Sequence, residues 1–271
     1  MPKDILDIYT DYLICQNQQA TAIGLANLLD SEVSHDQITR FLNKNEYGSK
    51  DLWKYVKADV RKHEQKTGGV LIIDDAIEEK PYTDENEIVS WHFSHAKGRC
   101  IKGINILSGL IRYGDLALPI GYEVIKKDLH FCDIKTQKEK RQSSMTKNQH
   151  LRALVAQAIE NGVLFDYVLA DNWFGAKDNM EFIHYELNKF FVFGIKANRL
   201  IALSEEDRKK GQYQNLNTLD FKDGQKQVVW LKDLAFPVAL ITKIFKNEDG
   251  STGILHIVTN DLDSDADRIY E

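Results

Sequence analysis

Cysteine is scarce in this chain, and the three present, Cys15, Cys100 and Cys132, are odd in number and far apart. That excludes a disulfide framework and fits a reduced, cytoplasmic protein. No run of about 18 apolar residues occurs, so no membrane-spanning helix is expected. The N-terminus, M-P-K-D-I-L-D-I-Y-T-D-Y, has no basic segment leading into an apolar one, which excludes a secretory signal. Positive charge is also wanting: the net charge of -6 argues against a protein that grips nucleic acid with its whole surface. A local basic face is still available. Lys126 to Arg152 carries eight Lys/Arg against three acids, which reads either as a backbone-binding face or as a solvated charged loop.

What is there is an ordinary globular composition, 43% hydrophobic and 10% aromatic over 271 residues. That length suffices for one large domain or two. Glycine and proline are almost absent from residues 1–66, and apolar residues recur there at threes and fours, so a small helical domain is expected. Within it, residues 21–45 predict two short helices separated by D-S-E-V. Leu25, Leu28 and Leu29 share a face of the first. Ser34 and Gln37 form a capping box at the start of the second, whose buried face is Ile38, Phe41 and Leu42. This spacing suits a helix-turn-helix whose Gln37, Arg40 and Asn43 reach DNA, and it equally suits a plain αα-hairpin.

From Gly68 the character changes. Strands are predicted at Val70–Ile73, Ile101–Tyr113 and Leu118–Ile125, with a turn at Arg112–Asp115 and a long polar loop from Glu78 to Gly103. Thr146 and Gln149 cap a helix that Gly162 stops, the strand F-D-Y-V-L-A-D ends on Asp171, a helix covers about 176–188, and F-F-V-F-G-I-K-A is a buried strand. Alternation of this kind is an α/β unit with parallel strands. Beyond Asn198 the pattern is β-rich again, and Ser264–Asp267 looks like the cap of a new helix.

Two of the strands, Val70–Ile73 and Tyr167–Ala170, run into aspartates. Acids end strands wherever a chain meets water. Sites in α/β sheets, however, also form at the carboxyl ends of strands. Two carboxylates brought together there repel unless a cation neutralises them, and hard oxygen donors suit Mg²⁺ or Mn²⁺. A pair of such ions about 4 Å apart serves nucleases and polymerases.

The run I-I-D-D-A-I-E-E-K-P-Y-T-D-E-N-E-I-V-S-W-H-F-S-H-A-K-G-R-C-I-K-G-I-N, with V-L-A-D-N-W-F, K-A-N-R-L-I-A-L and D-G-S-T-G-I-L-H-I-V-T-N-D, resembles the bacterial insertion-sequence transposases of the DDE type. The resemblance implies an RNase H-like mixed sheet with flanking helices in residues 67–271, a β-rich insertion at about 198–260, and a preceding all-α DNA-binding domain. It maps the first two acids onto Asp75 and Asp171, with Ala76 where the family has Thr, and implies two Mg²⁺ or Mn²⁺ ions in an intact site. Partners would be double-stranded transposon ends and target DNA, held by a homodimer. The family's third acid, a Glu in Y-x-x-R-x-x-x-E, finds no match after Asp171, and Glu271 lacks the preceding Arg. The resemblance therefore implies a chain that stops where the Glu helix starts, with cleavage impaired, or alternatively a non-catalytic DNA-binding remnant.

Other residues stay open at this level. Asp74 is read as a solvent or loop-capping residue. His92, His95 and Cys100 have tolerable but incomplete zinc spacing, so packing or DNA contact is the better reading. Lys97, Arg99 and Lys102 on the long loop, and Lys196 and Arg199 after a buried strand, suit phosphate contact or plain solvation. Trp173 and Phe174 are expected to pack the following helix.

Overall fold

The computed structural model describes residues 4–17, 19–44, 46–94 and 97–270. The chain divides into two compact units between Gly48 and Ser49. The first holds α1 (Ile5–Cys15), α2 (Ala22–Leu28) and α3 (His35–Lys44). Each begins on a side chain that accepts an otherwise unpaired amide: Asp4 for α1 and Thr21 for α2. At α3, Ser34 and Gln37 bond each other's backbone at 3.2 and 2.8 Å, the expected capping box. Asp30 and Ser31 turn the chain between α2 and α3 through positive φ of 48° and 64°. Tyr12, Leu25, Ala26 and Ile38 make the small core. Leu28 and Leu42, expected inside, are exposed. α2 ends at Leu28, and three short helices leave no layer to cover either residue.

The second unit opens with α4 (Ser49–His63), which was expected in the helical domain. Instead Trp53 and Val60 join the core of the large sheet. Ser49 Oγ accepts the amide of Tyr122 at 3.0 Å, which ties the start of α4 to a strand. The division therefore falls before α4, and not near residue 66, because α4's apolar face is spent on the sheet.

The strands are β1 (Val70–Glu79), β2 (Val89–Ser94), β3 (Arg99–Tyr113), β4 (Leu116–Val124), β5 (Leu129–Asp133), β6 (Lys138–Gln142), β7 (Tyr167–Ala170), β8 (Phe190–Ile195), β9 (Leu200–Ala202), β10 (Gln214–Asn215), β11 (Lys226–Leu231), β12 (Val238–Lys246) and β13 (Thr252–Thr259). The helices α5 (Lys147–Glu160), α6 (Lys177–Glu181), α7 (Glu205–Lys209) and α8 (Ala266–Tyr270) lie between or after them. Eleven strands form one mixed sheet in the order β10-β9-β11-β12-β13-β8-β7-β1-β3-β2, with β4 also on β3. β3 is antiparallel to both β1 and β4, whereas β1, β7 and β8 are parallel. The parallel step from β1 to β7 needs a crossover, and α5 supplies it.

α5 buries Leu151, Leu154, Val155 and Ala158 in the same cluster as Leu71, Ile73, Leu107, Ile111, Phe191 and Phe193. Strand alternation sends Val192 to the other face, where it meets Ile241 and Ile269 of α8 in a smaller cluster.

Two expectations along β1–β3 change. β1 does not stop at Ile73 but runs on to Glu79, because β3 pairs with it out to Gly103. The long loop from Glu78 to Gly103 contains an edge strand, β2, and the start of β3. Among the described residues no helix is long and apolar enough to cross a membrane.

Candidate active site

Ile73 and Ala170 are the last partners of the β1–β7 pair. Asp171 thus stands at the carboxyl end of β7, and Asp75 lies two residues beyond the last pairing, still inside β1. The acids of β1 are not at a strand's end. They are where β1 loses its parallel neighbour and keeps its antiparallel one. Asp74, Asp75 and Asp171 border one cleft of about 840 Å³, with Thr146 and Lys147 from the start of α5 and Trp91 and His92 from β2. Asp74 also borders an apolar groove of about 460 Å³ lined by Ile72, Leu169, Val192 and Ile257.

Asp75 is held by two donors on one oxygen. Asn105 Nδ2 donates to its Oδ2 at 2.9 Å and Lys147 Nζ at 2.6 Å. Asn105 is fully buried on β3, and its own Oδ1 is buried without a hydrogen-bond partner. Lys147 is the first residue of α5, fixed by the reciprocal Thr146–Gln149 capping box. Asp171 accepts the amide of Trp173 at 3.0 Å. Burial raises its pKa, and the carboxylates of Asp75 and Asp74 nearby push in the same direction, against the amides of Trp173 and Phe174. The loop after Asp171 lies against β8 because glycine stands at two contacts. A Cβ at Gly194 would come within 2.9 Å of the Asn172 amide nitrogen, and one at Gly175 within 2.6 Å of the Gly194 carbonyl oxygen.

His92 turns inward from β2 and shares a hydrogen bond of 3.1 Å with Ser90 Oγ. Burial, followed by the ammonium groups of Lys127 and Lys147, pushes its pKa down to about 4, against the attraction of Asp75. It is a neutral imidazole at physiological pH. Cys100 is exposed, and His95 lies outside the described residues. Among the described residues no three of His, Cys, Asp and Glu converge closely enough to hold a metal.

Asp74, Asp75 and Asp171 bring carboxylates to the cleft beside the His92 imidazole, and carboxylate oxygens suit a hard divalent cation. The dehydration and repulsion that raise the Asp171 pKa are what such a cation relieves. These residues fit Mg²⁺ or Mn²⁺ as a partial shell, to be completed by water or phosphate oxygens. Glu271 lies outside the described residues.

The basic residues singled out from the sequence scatter. Lys97 lies at the cleft, paired with Glu79. Lys196 Nζ sits 5.1 Å from the centre of the Trp173 ring. Arg199 donates to the Gly175 carbonyl, tying the β8–β9 connection to the loop after Asp171. Both border a second cavity of about 420 Å³ with Lys232. Arg99 is exposed at the start of β3 and borders neither cavity. Gln37, Arg40 and Asn43 are exposed on α3 in the first unit, with the Gln37 side chain committed to the capping box. The segment from Lys126 to Arg152 is not one face. Its middle forms the separate hairpin β5–β6, Lys147 belongs to the cleft, and Arg152 donates to Asn179 Oδ1 at 2.7 Å.

Phe174 is buried as expected, whereas Trp173 is exposed in the cleft. Sequence reasoning passed over Asn105 and took Lys147 only as one of the basic residues of 126–152. Asn105 did leave a signal, an amide on the inward register Ile101, Gly103, Asn105, Leu107 of an otherwise apolar strand. Lys147 left none.

Residues 2–216 match the family described as DDE superfamily endonuclease. No curated protein sequence matches the chain. Among solved structures, the NurA nuclease from Sulfolobus solfataricus is similar at a TM-score of 0.30 and 11% identity, over 88% of this chain and 82% of that one.

Proposed function

The chain belongs to the DDE superfamily endonuclease family, and from that premise we propose that it is the transposase of an insertion sequence, cutting DNA at terminal inverted repeats and joining the freed ends to target DNA. Membership implies a DNA substrate, and the family generally uses divalent metals. The observation that carries the proposal is the meeting of Asp75 and Asp171, from the neighbouring parallel strands β1 and β7, in one cleft rimmed by lysines. The order β4-β3-β1-β7-β8, three antiparallel strands continued by two parallel ones, supports an RNase H-like reading of the sheet's centre. β9 to β13 correspond to the β-rich insertion, and α1–α3 to a DNA-binding domain that offers Arg40 and Asn43 from α3.

In this reading Asp75 and Asp171 hold Mg²⁺ or Mn²⁺. The bound cation supplies Lewis-acid charge at a phosphate and lowers the pKa of an attacking water. The chain's own residues do the positioning. Asn105 orients the Asp75 carboxylate, and the Trp173 amide orients that of Asp171. Lys147 pairs with Asp75 and, with a cation on that carboxylate, would be placed to meet a phosphate. Lys97 at the cleft, and Lys196 and Arg199 at the second cavity, offer further phosphate contacts, and two copies act together on paired ends.

The test is incubation with Mn²⁺ and DNA carrying the repeats that flank the gene. Strand cleavage at the repeat ends, lost in both Asp75→Asn and Asp171→Asn, is the expected result. Binding to the repeats without cleavage would instead identify a non-catalytic DNA-binding protein. Cleavage indifferent to the repeat sequence would identify a structure-specific nuclease.

A further inference from the structure

The second cavity, of about 420 Å³, differs from the acid cleft in charge. Lys196, Arg199 and Lys232 border it against a single acid, Asp233. The cleft sets Lys97, Lys127 and Lys147 against Asp74, Asp75, Glu79 and Asp171. Among the described residues no carboxylate forms an ion pair with Lys196, Arg199 or Lys232. Lys97 and Lys147 at the cleft, by contrast, each hold one. Three cations gathered without a counter-charge repel one another, and an anion seated among them turns that repulsion into attraction.

Backbone bonds bring the three together. The Arg199 amide donates to the Lys196 carbonyl at 3.1 Å, which closes the turn between β8 and β9. The Lys232 amide donates to the Leu200 carbonyl at 2.9 Å, which sets the end of β11 beside that turn. Arg199 is half-buried, and its guanidinium is fixed by the Gly175 carbonyl. That bond uses one of the five N–H donors of a planar fork and leaves the others oriented for a phosphate.

The cavity also adjoins the acids. Asp171 borders the cleft and the next residue, Asn172, borders the cavity. Trp173 borders both, with Lys147 of the cleft at 5.8 Å and Lys196 of the cavity at 5.1 Å from its ring centre. A DNA strand carries a phosphate at every nucleotide. A strand with one phosphate at Asp171 therefore brings a neighbouring phosphate past Trp173.

We infer that the second cavity is an anion subsite for the DNA backbone, taking on Lys196, Arg199 and Lys232 a phosphodiester close along the strand to the one at the acids. The cleft serves the cation and the reacting phosphate, and the cavity holds the phosphate that fixes the strand's register. This rests on the reading of the acid pair as a DNA-processing site.

The experiment titrates the full chain in EDTA with fluorescein-labelled DNA carrying the repeats, by anisotropy, at several salt concentrations. Lys196→Met and Lys232→Met are each expected to weaken binding roughly five- to tenfold, between the loss of an exposed ion pair and that of a charged hydrogen bond. Each should also lower the slope of log K against log salt by about one. Lys232→Arg keeps the charge and retains the slope. Lys54→Met, exposed on α4 and paired with Asp51, changes neither. Neutral methylphosphonate linkages placed singly through the repeat end locate the contact: at one linkage, the loss seen with the parent should vanish in Lys232→Met. Melting curves matching the parent show that exposed positions were altered without unfolding. Unchanged affinity and slope in both methionine variants, or no linkage whose cost depends on Lys232, overturns the inference and leaves the cleavage proposal standing. Protection against melting by dTMP that Lys232→Met abolishes, with DNA binding unchanged, would assign the cavity to a free nucleotide and also overturn it. The expected binding results, with no Mn²⁺-dependent cleavage of any DNA, would overturn the cleavage proposal and leave the subsite intact.

Discussion

Replacing Lys147 by methionine is expected to weaken the metal-free protein and tighten its hold on a divalent cation. Lys147 Nζ donates to Asp75 Oδ2 at 2.6 Å, and the two side chains are 25% and 17% exposed. A hydrogen bond between charged groups contributes about 1.5–3 kcal/mol, and partial exposure places this one near the lower figure. Lys147→Met leaves Asp75 with Asn105 alone, so the metal-free variant should lose about 1.5 kcal/mol. For a domain of this size that is roughly 3–6 °C in Tm. A cation binding Asp75 would compete with the ammonium for the carboxylate. Without the lysine that competition disappears, and about 1.5 kcal/mol corresponds to roughly tenfold tighter binding. Mn²⁺ calorimetry reads the affinity, and melting with and without Mn²⁺ reads the linked stability. Lys127→Met serves as the control, because Lys127 borders the same cleft and its Nζ bonds the Trp91 carbonyl instead of Asp75. If Lys147→Met binds Mn²⁺ no better than the parent, or no better than Lys127→Met, the ammonium does not compete with a cation. If Asp75→Asn leaves Mn²⁺ binding untouched, Asp75 is not a ligand.

Stability should fall with acid through His92. Its folded pKa of about 4 lies below the free value of 6.5, so the neutral form is favoured by folding. That contribution is complete above about pH 6.5 and is lost as pH drops toward 4, with a slope of at most about 1.4 kcal/mol per pH unit. Denaturant titrations at several pH values should show that slope reduced in His92→Gln. Gly194→Ala should push the Asn172 backbone away from β8. We expect a loss of about 1–3 kcal/mol in stability and, because Asp171 moves with the loop, a fall in cleavage of up to about a hundredfold. Melting curves and cleavage assays separate the two. Asn105→Ala should cost about 1–3 kcal/mol, since it removes a buried donor from Asp75, and chemical denaturation checks it. Ser34→Ala removes the α3 cap and should cost about 1 kcal/mol, measured by the helical signal of residues 1–48 if that unit is expressed alone.

The capping boxes at Ser34–Gln37 and Thr146–Gln149 were legible because both partners lie within one turn of chain. The turn at Arg112–Asp115 and the β-rich character beyond Asn198 were legible for the same reason, as local patterns of apolar residues and turn formers. The length of β1 was not. Val70–Ile73 carries the apolar signal, but what extends the strand to Glu79 is β3, some thirty residues away, offering its backbone. The assignment of α4 failed similarly. Its helical pattern is plain, yet whether Trp53 and Val60 face other helices or a sheet depends on what else needs covering.

The sequence by itself determined which carboxylates stand after apolar strand segments, Asp75 and Asp171, because strand patterning and motif are properties of a few adjacent residues. Only the tertiary structure decided what surrounds them. Lys147 reaches Asp75 across 72 positions, and Asn105 does so across 30. Contacts of that kind come from strand pairing and the crossover through α5. Those depend on how the whole chain buries its apolar surface, and no short stretch of sequence records it.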